Sequence, residues 1–357
     1  MMDQVWWKNI IKAHTFFKNI VTETSKGSSL LLSLPASVPW KDTLIELVSE
    51  KLQIETPRNK LDRIECPSEE PGAFLLEKYC KKELRAMYRR GRSYAQFLGE
   101  CQETVLNNRY IWVSDIPAEK AAAWLTFVSE YTQNVKNNTP GIFILEVHDD
   151  AIARRSTRGI KNLCFNQNIS SYDKYAFCAL ASSETNCKEF LRPYLAEAVS
   201  SVCGEDVELC AACVSKGSEF LMNPYQTIQK LITESLRSNE ETYDFQKTEA
   251  DVTALIWEAQ LKYVFPLIEN YRKAFISRHE PLIRAALPVT NSYGEKVELP
   301  QEAETGTLLH LVKTGKLSIS EKEHAELERY QKARNKLAHM KILEQEELFE
   351  ILRAGRQ

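Results

Sequence analysis

The stretch Ser28-Ser29-Leu30-Leu31-Leu32-Ser33-Leu34-Pro35-Ala36-Ser37-Val38-Pro39-Trp40-Lys41-Asp42 decides the class of fold. Its first half is a short, unbroken apolar run, the signature of a strand buried on both faces. Two prolines then interrupt the chain, and Trp40 to Leu52 has helical spacing. The same alternation recurs. Arg109-Tyr110-Ile111-Trp112-Val113-Ser114 predicts a second strand. It runs into Asp115-Ile116-Pro117-Ala118-Glu119, a helix start with Pro in the first turn. Ala121, Trp124, Leu125, Val128, Tyr131 and Val135 then mark one helical stripe. Gly141 to Val147 predicts a third strand, and Tyr175 to Ala181 a fourth, ahead of a helix from about Glu189 to Val202. Continuous apolar strands alternating with helices predict an α/β region with a parallel sheet covered on both faces.

The chain has 357 residues, 43% hydrophobic and 27% charged, with a formal net charge of −3. That length suggests two domains. A near-zero charge excludes non-specific coating of nucleic acid or anionic membrane, which needs a basic excess. Dividing the chain changes nothing: residues 1–240 hold 29 Lys/Arg against 30 Asp/Glu, and residues 241–357 hold 17 against 19. Nucleic-acid binding therefore requires a local site. Met1-Met2-Asp3-Gln4-Val5-Trp6-Trp7-Lys8 lacks the basic-then-apolar order of a secretory signal, and the apolar runs are too short to span a bilayer. We therefore expect a cytoplasmic protein without a membrane partner. The nine cysteines are an odd, scattered set that fits reduced thiols. Cys210-x2-Cys213, with Cys203 upstream, lacks a second pair or histidines nearby, so these are read as small buried helix residues. No metal site and no cofactor are expected.

Residues 216–245 read as a helical connector, most polar at Glu234 to Glu241. Beyond it the pattern is all helix. A long helix is predicted from about Thr248 to Ala286, bent by Pro266. A short helix holds Leu308, Leu309, Leu311 and Val312, and Ser320-x-x-Glu323 is a capping box opening a third, to about Met340. A fourth runs from about Glu344 to Arg353. The expected organisation is an α/β domain over 1–215, the connector, and a four-helix bundle over 246–357.

The first strand–turn–helix sits where a mononucleotide-binding domain places its phosphate loop. Such a loop needs glycines so that backbone amides can cradle phosphates, a Lys for the terminal phosphates and a Ser/Thr for Mg²⁺. Lys41 has the right spacing from Pro35, but both glycine positions are wrong, Trp40 is bulky and Asp42 replaces the hydroxyl. The strand-end acids Asp115 and Asp149-Asp150 are candidates for a Mg²⁺-positioning carboxylate, weighed against roles as helix caps and turn residues. In element order, residues 25–215 resemble the AAA-like and related P-loop NTPases. The resemblance implies a P-loop-NTPase-like domain without a functional phosphate loop, and Trp40 and Asp42 disfavour an ATPase.

Two basic segments are candidate nucleic-acid contacts. Tyr88-Arg89-Arg90-Gly91-Arg92-Ser93-Tyr94 combines three arginines with two rings that can stack on bases. Arg154-Arg155-Ser156-Thr157-Arg158 follows the third strand. Both are equally readable as solvated surface.

The third C-terminal helix contains Ala333-Arg334-Asn335-Lys336-Leu337-Ala338-His339. An Arg-x4–6-His motif with a polar residue after the Arg resembles the signature of HEPN domains, small helical bundles many of which are metal-independent ribonucleases of toxin–antitoxin, abortive-infection and CRISPR-linked systems. Composition alone predicts about one chance match to this spacing, and Arg272/His279 is a second one. The resemblance covers residues 245–357. It implies that His339 moves a proton, Arg334 stabilises phosphate charge and Asn335 orients either. Lys336 adds a nucleic-acid contact. On one helix Arg334 and His339 lie about 140° apart, and the resemblance implies that such enzymes dimerise to face two motifs across one cleft. Against this, Arg334 on the stripe of Leu327, Tyr330, Leu337 and Lys341 can pair with a carboxylate, and His339 can serve the helix end.

Two functions therefore stand beside each other. The first is an interaction or regulatory protein of a prokaryotic defence or conflict system, with RNA, a protein partner or a second copy as its partner. The second is an active metal-independent endoribonuclease using Arg334 and His339. Residues 329–341 hold five basic side chains and no acid, and residues 344–350 hold four acids and no base. That order suits either an RNA surface or a helix end facing a helix start.

Overall fold

A computed structural model describes residues 2–89, 91–101, 106–136, 139–148, 152, 157–165, 169–290 and 294–355. The chain divides into two units, Met1–Asp173 and Lys174–Gln357.

The first unit opens with helices α1 (Met2–Asn9) and α2 (Ile11–Ser25), then β1 (Ser29–Ser33), α3 (Lys41–Glu55) and β2 (Lys60–Glu65). Helices α4 (Pro71–Tyr79), α5 (Lys82–Ala86) and α6 (Tyr94–Glu100) precede β3 (Arg109–Ile116). Then come α7 (Ala118–Asn134), β4 (Ile142–Val147) and β5 (Ile160–Cys164). The five strands form one sheet in the order β2-β3-β4-β1-β5, and every pairing is parallel. Every residue of β1 and β4 is buried, which is why both read as unbroken apolar runs. One sheet face packs Ile111, Val113, Phe143 and Leu145 against Leu75, Leu98, Trp124 and Val128 of α4, α6 and α7. The other face carries Leu30, Leu32, Trp112 and Ile144 and is covered by α1–α3, whose Trp6, Trp7, Phe16, Leu44 and Val48 are buried.

The edge strands escape the apolar pattern. β2, Lys-Leu-Asp-Arg-Ile-Glu, buries only Ile64, and β5 only Ile160. Charge on an edge strand discourages pairing with another chain, and it also removes the sequence signal. The predicted strand at Tyr175–Ala181 is corrected: these residues lie in helix α8 (Ser171–Ser183). Its buried set, Phe177, Cys178, Ala181 and Ser182, is a helical stripe. Ser170 Oγ accepts the Asp173 amide at 3.0 Å, a start signal in the sequence. Residues 174–215 fall in the second unit.

That second unit continues with α9 (Arg192–Val202), α10 (Val207–Lys216), α11 (Ser218–Met222), α12 (Pro224–Glu234) and the long α13 (Glu249–Ala286). A short hairpin, β6 (Val289–Thr290) with β7 (Lys296–Val297), precedes α14 (Thr305–Lys313), α15 (Glu321–Ala338) and α16 (Gln345–Ala354). α14, α15 and α16 all pack on α13. Buried Gln260 of α13 accepts the Leu343 amide at 2.7 Å, tying down the α15–α16 turn. Trp257 Nε1 donates to the Leu337 carbonyl at 2.9 Å. In α13 the backbone leaves the helical region at His279, where φ is −111° and ψ 17°, and Pro266 also lies inside the helix. Pro281, two residues on, lacks an amide hydrogen and its ring crowds the preceding turn. Among the described residues no helix is long and apolar enough to cross a membrane.

Candidate functional site

The C-terminal ends of β1, β3 and β4 bring four charged or titratable groups together. Lys41 is the first residue of α3. Its Nζ donates to Asp115 Oδ1 at 2.8 Å and to Glu146 Oε1 at 2.8 Å. Glu146 is wholly buried, and its second oxygen accepts Trp112 Nε1–H at 2.8 Å. His148 Nε2 lies 2.8 Å from Asp115 Oδ1, and its Nδ1 lies 2.8 Å from the Leu34 carbonyl. Since a carbonyl only accepts, Nδ1 carries the hydrogen of that bond.

Two unusual backbone conformations build the site. Trp40 adopts φ 47° and Asp115 φ 54°, in the left-handed region that non-glycine residues seldom enter. Trp40 turns the chain into α3, and its carbonyl accepts Trp7 Nε1–H at 3.2 Å. Asp115 sits in a bulge: Val113 pairs with Leu145 and Ile116 with Val147, so β3 has one residue more than β4 between these pairs. The extra residue breaks the alternation and turns the Asp115 carboxylate toward Lys41. Asp115 is thus an ion-pair residue rather than a helix cap; the α7 N-cap is Pro117, which has no side-chain cap bond.

Burial opposes charge on both main partners, and their pairing prevails. Burial pulls the Lys41 ammonium down, but bonds from Asp115 and Glu146 leave it above its ordinary value. Burial likewise pushes Asp115 up, yet Lys41 and His148 hold it below the usual carboxylate range. Asp115, Glu146 and His148 bring ligand-type atoms within 4.8 Å of one another. Lys41 occupies the centre, its ammonium bridging both carboxylates where a cation would bind them. Beside His148 a cavity of about 270 Å³ is lined by Ile116, Pro117, Ala118 and Ile152. Asp42 faces away and pairs with Arg63 at 2.6 Å. Asp149 and Asp150 lie outside the described residues.

The basic-aromatic segment is folded on itself. Tyr88 and Tyr94 stack at 4.3 Å, so each covers a face of the other. Arg92 pairs with Glu100 and lies over Phe97, and its carbonyl accepts the Tyr88 hydroxyl at 2.9 Å. Arg89 is exposed. Arg90 lies outside the described residues, as do Arg154, Arg155 and Ser156.

The Arg…His motif is split across α15. Arg334 pairs with Glu304 at 2.8 Å. Asn335 and His339 line a pocket of about 260 Å³ with Lys332, Lys336, Lys341 and Glu347, and Arg334 is not among its lining residues. His339 is the C-cap of α15. The basic run meets specific acids: Lys336 pairs with Glu347 at 2.7 Å, Arg329 with Glu350 at 2.7 Å and Lys332 with Glu328 at 3.6 Å. The second match is also tied into packing. Arg272 bonds Glu269 and the Gln301 and Ala303 carbonyls, and His279 meets Glu323 at 3.0 Å.

Lys41 and Asp115 were legible as strand-end candidates. Glu146, which reads as the sixth residue of an apolar strand, and His148 carried no sequence signal beyond being polar at a strand end. No protein-family model matches the chain, and no curated protein matches its sequence.

Proposed function

We propose that the chain is a non-catalytic interaction or regulatory protein, combining an inactive P-loop-NTPase-like domain with a HEPN-like helical bundle. The observation that carries this is the Lys41 clamp. A phosphate-binding lysine must reach ligand, whereas here the ammonium is bound by Asp115 and Glu146 and sits among carboxylates that repel phosphate. Pro35 and Pro39 remove amide hydrogens a phosphate would need, and Trp40 stands in the left-handed conformation at the turn into α3. β1 lies inside the sheet, so the clamp stands at the strand ends where open parallel sheets gather ligands. Magnesium-ATP added to the full chain in a calorimeter should give no binding up to roughly 1 mM. A micromolar dissociation constant would overturn the inactive assignment.

RNA contact through α15 is favoured by one observation: Asn335 and His339 open on one pocket with three lysines. Arg334, held by Glu304, lies outside it, so catalysis through the pair would need a second copy. A place in a prokaryotic defence or conflict system follows from the HEPN resemblance. Single-stranded RNA in metal-free buffer should bind weakly and stay uncleaved, and Asn335→Ala/His339→Ala should weaken binding. Cleavage lost in both Arg334→Ala and His339→Ala would instead establish the endoribonuclease.

A further inference from the structure

The end of α4, helix α5 and the turn after it form a strongly basic stretch of the first unit. Residues 77–92 hold seven Lys/Arg against two acids, Glu77 and Glu83. Lys78, Lys81, Lys82 and Arg89 are exposed, and among the described residues no carboxylate pairs with any of them. The nearby ion pairs fall elsewhere, with Arg92 and Lys136 sharing Glu100. The basic run of α15 is the contrast, since Arg329, Lys332 and Lys336 each meet an acid.

The backbone gathers these cations. Lys81 is the N-cap of α5, and its carbonyl accepts the Arg85 amide at 3.0 Å. Lys81 and Arg85 therefore lie one turn apart on one face, with Lys82 three residues before Arg85 on the same side. Arg85 Nε donates to the Cys80 carbonyl at 2.8 Å, which holds the guanidinium against the turn between α4 and α5. Lys78, at the end of α4, rests 5.5 Å from the Phe74 ring centre. Like charges at helical spacing oppose helix formation, so α5 gains no stability from them.

We propose that this face grips the phosphate backbone of a nucleic-acid duplex. Phosphates supply the anions these cations lack, and their neutralisation releases counterions. The rings decide the mode. Tyr88 and Tyr94 stack on each other at 4.3 Å, so the segment offers no open platform for unstacked bases, the main attraction for a single strand. A duplex keeps its bases stacked inside and presents its phosphates outward. A bilayer fits less well, because a segment lying in a membrane surface needs an apolar face. Here Leu84 packs into the core, and Met87 is the one large apolar side chain exposed in this stretch among the described residues. The contact is local, since the whole chain carries a formal charge of only −3. It is also independent of the α15 pocket, which belongs to the second unit.

The test is fluorescence anisotropy of the full-length chain with short labelled duplexes, one of RNA and one of DNA, over salt from about 50 to 200 mM. A dissociation constant of about 10⁻⁴–10⁻⁶ M is expected near physiological salt, with log affinity falling against log salt at a slope of about −4 for four to five phosphate contacts. Binding to either duplex supports the proposal, and the tighter of the two names the source. Lys81→Gln/Lys82→Gln should weaken binding and flatten the slope by about 2, about 1 for each lysine. Asn335→Ala/His339→Ala should leave both readouts unchanged, which separates this face from α15. If the first variant fails to fold, Lys78→Gln/Arg89→Gln gives the same two readouts. Unchanged affinity and slope in a folded variant would overturn the proposal. So would a wild-type chain that ignores both duplexes at about 50 mM salt, or one that binds phosphatidylserine vesicles and neither duplex.

Discussion

Lys41→Met tests the strand-end clamp most directly. The change keeps the aliphatic stem and deletes the ammonium, leaving the wholly buried Glu146 carboxylate, among the described residues, with only the Trp112 indole hydrogen as partner. At 2.8 Å from Glu146, the lost attraction is about 6 kcal/mol at an effective dielectric of about 20. Part is offset because Lys41 no longer has to be desolvated. Removing one partner of a buried pair costs about 3–5 kcal/mol net, and we expect that loss. Asp115, half exposed, adds little. Urea unfolding at neutral pH, followed by the fluorescence of buried Trp112 and Trp124, measures the change. Adding Glu146→Gln should recover a large share, since Gln still accepts from Trp112 and carries no charge. A Lys41→Met variant within about 0.5 kcal/mol of wild type, the scatter of ordinary surface changes, would refute the clamp.

Three further outcomes follow from the charges. Asp115 is held below its ordinary 3.8 and Lys41 above its ordinary 10.5, so the clamp's contribution is complete between those values. It is lost as pH falls through the lowered Asp115 value or rises through the raised Lys41 value. Glu323, whose carboxylate caps α15 through Ser320 and also meets Arg278 and His279, is held down at about 2. Its contribution should therefore fade between its ordinary 4.5 and about 2, read as unfolding midpoints across acidic buffers; a midpoint unchanged between wild type and Glu323→Gln at pH 7 would contradict it. Arg334→Ala should cost at most about 1 kcal/mol, because its partner Glu304 is exposed; a larger loss by thermal unfolding would show that Arg334 holds the core.

The sequence by itself determined the central strands, the alternation with helices and the helical C-terminal region. Leu30 to Leu32, Ile111 to Val113 and Phe143 to Leu145 are buried on both faces, so their composition has one reading. Capping signals such as Ser320 with Glu323 marked helix starts because they act within a few residues. Tertiary structure decided what depends on distant partners. β2 and β5 hold their places through pairing with β3 and β1, not through apolar content. Tyr175 to Ala181 suits a strand or a helix equally, and packing chose the helix. The bulge at Asp115 turned an ordinary strand-end acid onto Lys41, 74 positions away. Glu146, hidden in an apolar run, became the buried partner that neutralises it. Local composition reports how a segment meets water; which charge faces which is a property of the folded chain, and so only the fold placed the Lys41 ammonium between Asp115 and Glu146.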